Sequence, residues 1–315
     1  MILDTFTIIL GIIFALTAAI CFNLGVVLQK KGLNESSEMK FEKGVGNVIG
    51  SFKEFIKNRF WVSGTILGFV GYIPYIIAMG MVGILVTQPL VSIGLIIFVL
   101  SAVRILKENL SIIEVICIGF LVIAPILIVF SGISEVKINL YTFVLPLILF
   151  LIAPIIICFI SLYISKKNRG TQLEGLFLNV LGAICFSLGS VFTNIFTQAL
   201  GDAHVFPLFF WEFLFGIFWL DYFHFWVFIG FWGMVGFNVL SFIFLQGALQ
   251  KGKAIILVPL QNIIMFIIPL LAGFLVFQQS FDNYLLFTIA GIMVITAIVT
   301  LSKFQAEIEA LEKQS

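Results

Sequence analysis

Long apolar runs broken by short polar segments dominate this chain. They cover residues 6–29, 60–82, 84–106, 111–132, 140–164, 174–198, 224–248, 254–277 and 283–302. Each reaches the roughly 20 residues that a helix needs to cross the hydrocarbon core of a bilayer. None shows the alternation of a membrane β-barrel strand. The pattern therefore predicts an all-α polytopic membrane bundle of nine transmembrane helices. Two further stretches are patterned differently. In 46–58, Val48, Ile49, Phe52, Phe55 and Ile56 share one helical face while Lys53, Glu54 and Lys57 share the other, as in an amphipathic helix lying in the interface. The Phe-rich stretch 205–220 is nearly long enough to cross, but contains Glu212.

Basic residues decide how that last stretch is counted. With nine spans and the N-terminus outside, all 17 Lys and Arg except Lys137 fall in inner loops or the tail, as the positive-inside rule requires. A tenth span at 205–220 would move Lys251, Lys253, Lys303 and Lys313 outward. The segment is thus expected to lie at the outer interface, with Trp211, Trp219 and Tyr222 at headgroup level. The C-terminus is then cytoplasmic and the expected location is the plasma membrane.

The runs are also related to one another. Ala19-Ile20-Cys21-Phe22-Asn23-Leu24-Gly25 returns 164 positions later as Ala183-Ile184-Cys185-Phe186-Ser187-Leu188-Gly189. Phe60-Trp61-Val62 returns 165 positions on as Phe225-Trp226-Val227, and Gly68, Val70 and Gly71 as Gly233, Val235 and Gly236. Pro89-Leu90 and Pro259-Leu260 follow, 170 apart. Self-similarity at a fixed period marks a duplication. The fifth run has no counterpart, so five crossings separate equivalent points and the second copy enters from the opposite face. An inverted repeat of four, one and four spans results, an arrangement common among secondary transporters. The expected divisions are 1–133 (first repeat), 134–170 (linking span), 171–302 (inverted second repeat) and 303–315 (tail).

Composition agrees with this picture and removes alternatives. Hydrophobic residues make up 61% and charged residues 10%, with a mean hydropathy of +1.20, far from the quarter-charged content of soluble domains. A net charge of +1 with no basic tract gives no reason to expect nucleic acid. The first run ends in Gln29-Lys30-Lys31 rather than a small-residue cleavage site, unlike a signal peptide. Lys30 and Lys31 are read as snorkelling cations at the cytoplasmic rim. Cys21, Cys117, Cys158 and Cys185 stand singly in apolar runs and read as packing residues. No metal-ligand spacing, no cofactor motif and no nucleophile with a base appear, so neither an enzyme nor a cofactor is expected.

Charge is absent from the middle of every span, where a carboxylate would otherwise mark an ion path. What remains is neutral and polar, at matching depths in the two copies. The candidate substrate-binding set is Asn23, Tyr72, Tyr75, Gln88, Ser92, Ser187, Asn238, Ser241, Gln261 and Asn262. Pro89 and Pro259 remove backbone donors beside it, which membranes tolerate where the backbone lines a cavity. Gly64, Gly68 and Gly71, with Gly230, Gly233 and Gly236, are read as small faces for close helix approach. The partners expected are a small-molecule or ion substrate and the lipid bilayer, and the pattern allows a homodimer.

With these motifs in place the chain resembles the drug/metabolite transporter superfamily of EamA-like inverted repeats, and within it the NIPA-type magnesium transporters. The resemblance rests on Leu24 to Leu33 (LGVVLQKKGL), on Asn58-Arg59-Phe60-Trp61, and on Val86-Thr87-Gln88-Pro89-Leu90. Leu106 to Leu110 and Leu257-Val258-Pro259-Leu260 add to it. It implies nine spans. The function expected is that of a secondary transporter or facilitator moving a small, uncharged or zwitterionic solute by alternating access between two inverted halves, with a NIPA-like carrier of magnesium or another divalent cation as the alternative. In the NIPA-type pattern the glycine of the second span is followed by Glu; here Tyr72 follows Gly71. A lipid scramblase or a non-transporting membrane subunit is the reading from another class.

Overall fold

The computed structural model describes residues 5–36, 45–92, 94, 97, 101, 112–132, 141–203, 210–219, 221–252, 254–280, 282–293, 295–297 and 300. The described residues are almost wholly helical and form no strand. In chain order the helices are α1 (Thr5–Asn34), α2 (Val45–Phe55), α3 (Arg59–Ser92), α4 (Ile112–Phe130), α5 (Val144–Lys167), α6 (Gln172–Asp202), α7 (Phe210–Phe215), α8 (Tyr222–Lys251) and α9 (Ala254–Leu275), then α10 (Tyr284–Ala297). Five contain segments long and apolar enough to cross a membrane: Phe6–Asn34, Arg59–Ser92, Val144–Lys167, Leu173–Asp202 and Tyr222–Lys251. The protein is therefore a multi-pass membrane protein. The third predicted run beyond Ser92, apart from isolated positions, and the tail 303–315 lie outside the described residues, as does the start of the outer segment.

The second and third predicted runs are separated inside α3, at Gly83, where φ is 72° and ψ is 178°. That region is essentially open to glycine alone. Thr87 Oγ1 donates to the Gly83 carbonyl at 2.7 Å, which occupies the acceptor left at the break, and Pro89 follows without a donor of its own. The second copy breaks in the corresponding place. α8 ends at Gly252, whose backbone is extended, and α9 begins two residues later.

Two helix pairs dominate the packing, α1 with α3 and α6 with α8, and these are counterparts in the duplication. Within each pair the helices run antiparallel. A Cβ on Gly64 would stand 2.5 Å from the Gly25 carbonyl oxygen, one on Gly71 2.5 Å from Cys21 Cβ, and one on Gly11 2.6 Å from Val82 Cγ1. In the second pair Gly182 faces Leu245, Gly189 faces Asn238 and Gly230 faces Phe196. Close backbone approach is what lets membrane helices associate without a hydrophobic driving force. Four of the six glycines read as packing faces behave so. Gly68 and Gly236 do not: among the described residues an added Cβ would meet nothing closer than 4.0 Å at Gly68 and nothing within 4 Å at Gly236.

The pairs meet end to end as well as side by side. Trp61, at the start of α3, donates through Nε1 to Gln246 Oε1 near the end of α8, at 2.9 Å. Gln246 Nε2 donates to Gln29 Oε1, near the end of α1, at 2.7 Å. α5 lies against α6 and leaves Leu145, Ile148, Ile152, Phe159 and Tyr163 exposed, the surface expected to face lipid. α2 only partly follows its expected placement: Phe52 and Phe55 dock on Trp61, and Phe52 stacks on Phe242 of the second pair, while Ile49 and Ile56 remain exposed. α7 and the 3-10 turn Gly216–Trp219 dock on α8, with Phe213 against Phe196 and Phe231 and Trp211 exposed.

Candidate functional site

Phe22 and Phe186 hold the same place in the two copies of the repeated segment, and they touch, ring centroids 6.3 Å apart. Around this contact the polar groups of α3, α6 and α8 converge. The phenol oxygen of Tyr72 accepts from Asn238 Nδ2 at 2.8 Å and shares a hydrogen bond with Thr193 Oγ1 at 3.0 Å. Tyr75 Oη accepts from Gln88 Nε2 at 2.6 Å. The two tyrosine rings are 5.3 Å apart, and Phe22 packs on both. One belt thus joins first-copy to second-copy groups.

Local sequence explains the convergence. Tyr72 and Tyr75 are three apart, so they share a face of α3. Gln88 reaches Tyr75 because the break at Gly83 re-aims the chain before Pro89. Ser190, Thr193 and Asn194 lie at i, i+3 and i+4 on α6 and share one face. Thr193 and Ser190 also donate back to the carbonyls of Gly189 and Phe186, as hydroxyls in membrane helices commonly do.

The remaining candidates are placed less centrally. Asn23 Nδ2 donates to the Ala19 carbonyl of its own helix and lies against Gly94. Ser92 donates to the Gln88 carbonyl. Ser187 donates to Ala183 and, at 3.2 Å, to the Ile264 carbonyl of α9. Gln261 donates to Met265 Sδ. Ser241 Oγ and Asn262 Nδ2 are buried with no hydrogen-bond partner among the described residues. Pro89 is buried in α3, and Pro259 lies within α9. The structure therefore gathers Tyr72, Tyr75, Gln88 and Asn238 and leaves the other six polar candidates outside that bonded belt.

Sequence reasoning missed Thr193, Ser190 and Asn194. Both amide atoms of Asn194 are buried without a partner among the described residues, a condition uncommon enough to call for a bound water or ligand. The duplication carried the signal, because Thr193 and Asn194 are the counterparts of Gln29 and Lys30 at the 164-residue offset. Lys30 is itself a correction. It does not snorkel: it is buried, at 8% exposure, and its ammonium donates to the carbonyls of Leu249 and Gly252. The Lys31 ammonium instead lies 3.9 Å from the centroid of the Phe60 ring. Among the described residues no three His, Cys, Asp or Glu come together to hold a metal, so a cation here would meet amide, hydroxyl and carbonyl oxygens. Outside the spans, Asp221 caps α8 by accepting from the Phe223 and His224 amides. The His224 ring and amide hold its carboxyl below the usual aspartate range.

No curated protein and no solved structure matches the chain. A family model described as magnesium transporter NIPA matches residues 6–307. With nearly the whole length covered, the chain belongs to the NIPA magnesium transporter family, a branch of the drug/metabolite transporter superfamily.

Proposed function

We propose that this protein carries magnesium, or a divalent cation of like chemistry, across the plasma membrane by alternating access between two inverted halves. The observation that carries this reading is the Tyr72–Asn238–Thr193 contact, a neutral polar junction between the halves at the level where the repeated segments meet. Support for inversion comes from direction. Trp61 opens α3 beside the closing turns of α8, although Trp61 and Trp226 are counterparts, so equivalent helices run oppositely. Two copies of one four-span unit joined by the α5 span account for this, with nine spans in all. Mg²⁺ dehydrates reluctantly and keeps several waters when bound. A belt of hydroxyl and amide groups suits the hydrated ion, since it hydrogen-bonds the water shell rather than replacing it.

A second reading, transport of a small uncharged or zwitterionic solute, is favoured by one feature: Tyr72 stands where the family pattern places Glu. Uptake of Mg²⁺ into liposomes containing the purified protein, followed with an internal fluorescent indicator, separates the two. Saturable uptake that is lost in Gln88→Ala and Asn238→Leu is the expected result. Uptake no faster than in protein-free liposomes, with the protein folded, refutes magnesium as the substrate.

A further inference from the structure

We infer that the broken C-terminal end of α8 is a seat for a hard cation, occupied in this conformation by the tethered ammonium of Lys30. The ammonium belongs to the first copy and the seat to the second. Nζ donates to the Leu249 carbonyl and, at 3.0 Å, to the Gly252 carbonyl. Both oxygens come from the end of a helix, where unpaired carbonyls sum to about half a negative charge. The helix ends there because Gly252 turns extended, its amide still bonded to Ala248.

A carboxylate stands beside the same backbone. The first turn of α6 abuts it, since a Cβ on Gly175 would lie 3.0 Å from Lys251 Cβ and 3.5 Å from the Gly252 nitrogen. Glu174, 6% exposed, accepts from Lys251 Nζ at 3.0 Å and from the Gly170 amide at 2.8 Å. Backbone carbonyls beside a carboxylate are the donor set that hard divalent cations take, with Glu174 exchanging its bond to Lys251 for the cation. Nor does the duplicated scaffold need an ammonium at this position, because the counterpart of Lys30 is the neutral Asn194. The coupling consequence rests on the transport reading: a free cation that takes the seat displaces Lys30 and releases a tie between the halves at this end. The binding claim does not depend on transport.

The test is Mn²⁺ binding to the purified full-length protein in detergent, read from loss of the free-ion electron paramagnetic resonance signal. Lys30→Met removes the tethered competitor and is expected to tighten binding by at least about tenfold, the scale on which a local tether outcompetes free ligand. Lys30→Arg keeps a cation in place and should bind as the parent does. Glu174→Gln in the Lys30→Met background should cancel the gain. A folded Lys30→Met that binds Mn²⁺ no better than the parent overturns the proposal and leaves Lys30 a helix cap. If Lys30→Met does not fold, the unaltered protein decides. Mg²⁺ should raise acetylation of Lys30 by acetic anhydride, measured by mass spectrometry, and labelling unchanged by Mg²⁺ rejects the seat. Neither readout involves flux, so failure here is distinct from failure of the transport reading.

Discussion

Replacing Gly64 by alanine tests the packing on which the candidate site depends. The α1–α3 crossing is a contact of backbone on backbone. An added Cβ at Gly64 would lie 2.5 Å from the Gly25 oxygen and 2.8 Å from the Gln29 nitrogen, and one at Gly25 would lie 2.8 Å from the Gly64 oxygen. No rotamer change relieves this, because the atoms struck are main chain. Ordinary contact begins near about 3.5 Å, so the two helices must part by roughly 1 Å. A gap of that size forfeits about a quarter to a half of the dispersion energy of each contact it opens, and overpacking of this kind costs about 1–3 kcal/mol. Alanine also raises helix propensity by roughly 1 kcal/mol over glycine, so the comparison needs a glycine with open space. Gly236 provides it, with nothing within 4 Å.

Gly64→Ala should therefore be less stable than Gly236→Ala by about 1–3 kcal/mol. Reversible unfolding in mixed micelles, followed by tryptophan fluorescence, measures the difference. Transport should fall as well, since Phe22 lies one turn from Gly25 and any parting of α1 from α3 lifts it off Tyr72 and Tyr75. Equal stability of the two variants would show that the helices do not meet at Gly25 and Gly64, and the site built on that crossing would go with it.

Tyr72→Phe removes one hydroxyl from the belt, yet Asn238 keeps its bond to the Met234 carbonyl and Thr193 its bond to Gly189. Stability should drop by only about 0.6 kcal/mol for each bond lost, while Mg²⁺ uptake into liposomes falls severalfold; unchanged uptake would take the belt off the path. At the opposite end of α8, the Asp221 carboxyl titrates below its ordinary range because His224 donates to it. Its contribution is present above the ordinary aspartate range and is lost as pH falls through the depressed folded value. The acid side of the stability profile should flatten in Asp221→Asn, and an unaltered profile would remove the cap from the account.

Of the nine predicted runs, hydropathy located the five helices long and apolar enough to cross a membrane, because a bilayer requires about 20 apolar residues per crossing, and Gly83 was legible as a boundary because the runs part there. The side of a helix on which a polar residue would find its partner was not legible. Lys30 shows why. At the end of an apolar run a lysine reads as a surface anchor, and only the approach of α8, more than 200 residues away, turns it inward. The glycines show the same limit. Gly68 and Gly71 lie three apart in one apolar pattern, yet only at Gly71 would an added Cβ strike a neighbour, Cys21. Tyr72, Tyr75, Gln88 and Asn238 were singled out because polar groups in the apolar runs are few, whereas Thr193 and Ser190 were not singled out, and only the packing of α6 against α3 brings Thr193 to Tyr72.

The two copies keep their scaffold and diverge where they bond. Phe22 and Phe186 pair across the centre as like with like, which two apolar rings can do. The belt is built from unlike groups: the Phe237 counterpart of Tyr72 makes an aromatic stack with Phe192, and Asn238 stands where the first copy has Ile73. The same divergence distinguishes the ends. At one end Trp61, Gln29 and Lys30 are tied to α8. Their counterparts are Trp226, Thr193 and Asn194, and both Trp226 Nε1 and the Asn194 amide are buried without partners among the described residues. Under alternating access the two ends must exchange open for closed. Bonds given up by Lys30 and Trp61 as one end opens can then be offset by satisfying Asn194 and Trp226 at the other, which would keep the two conformations close enough in free energy to interconvert.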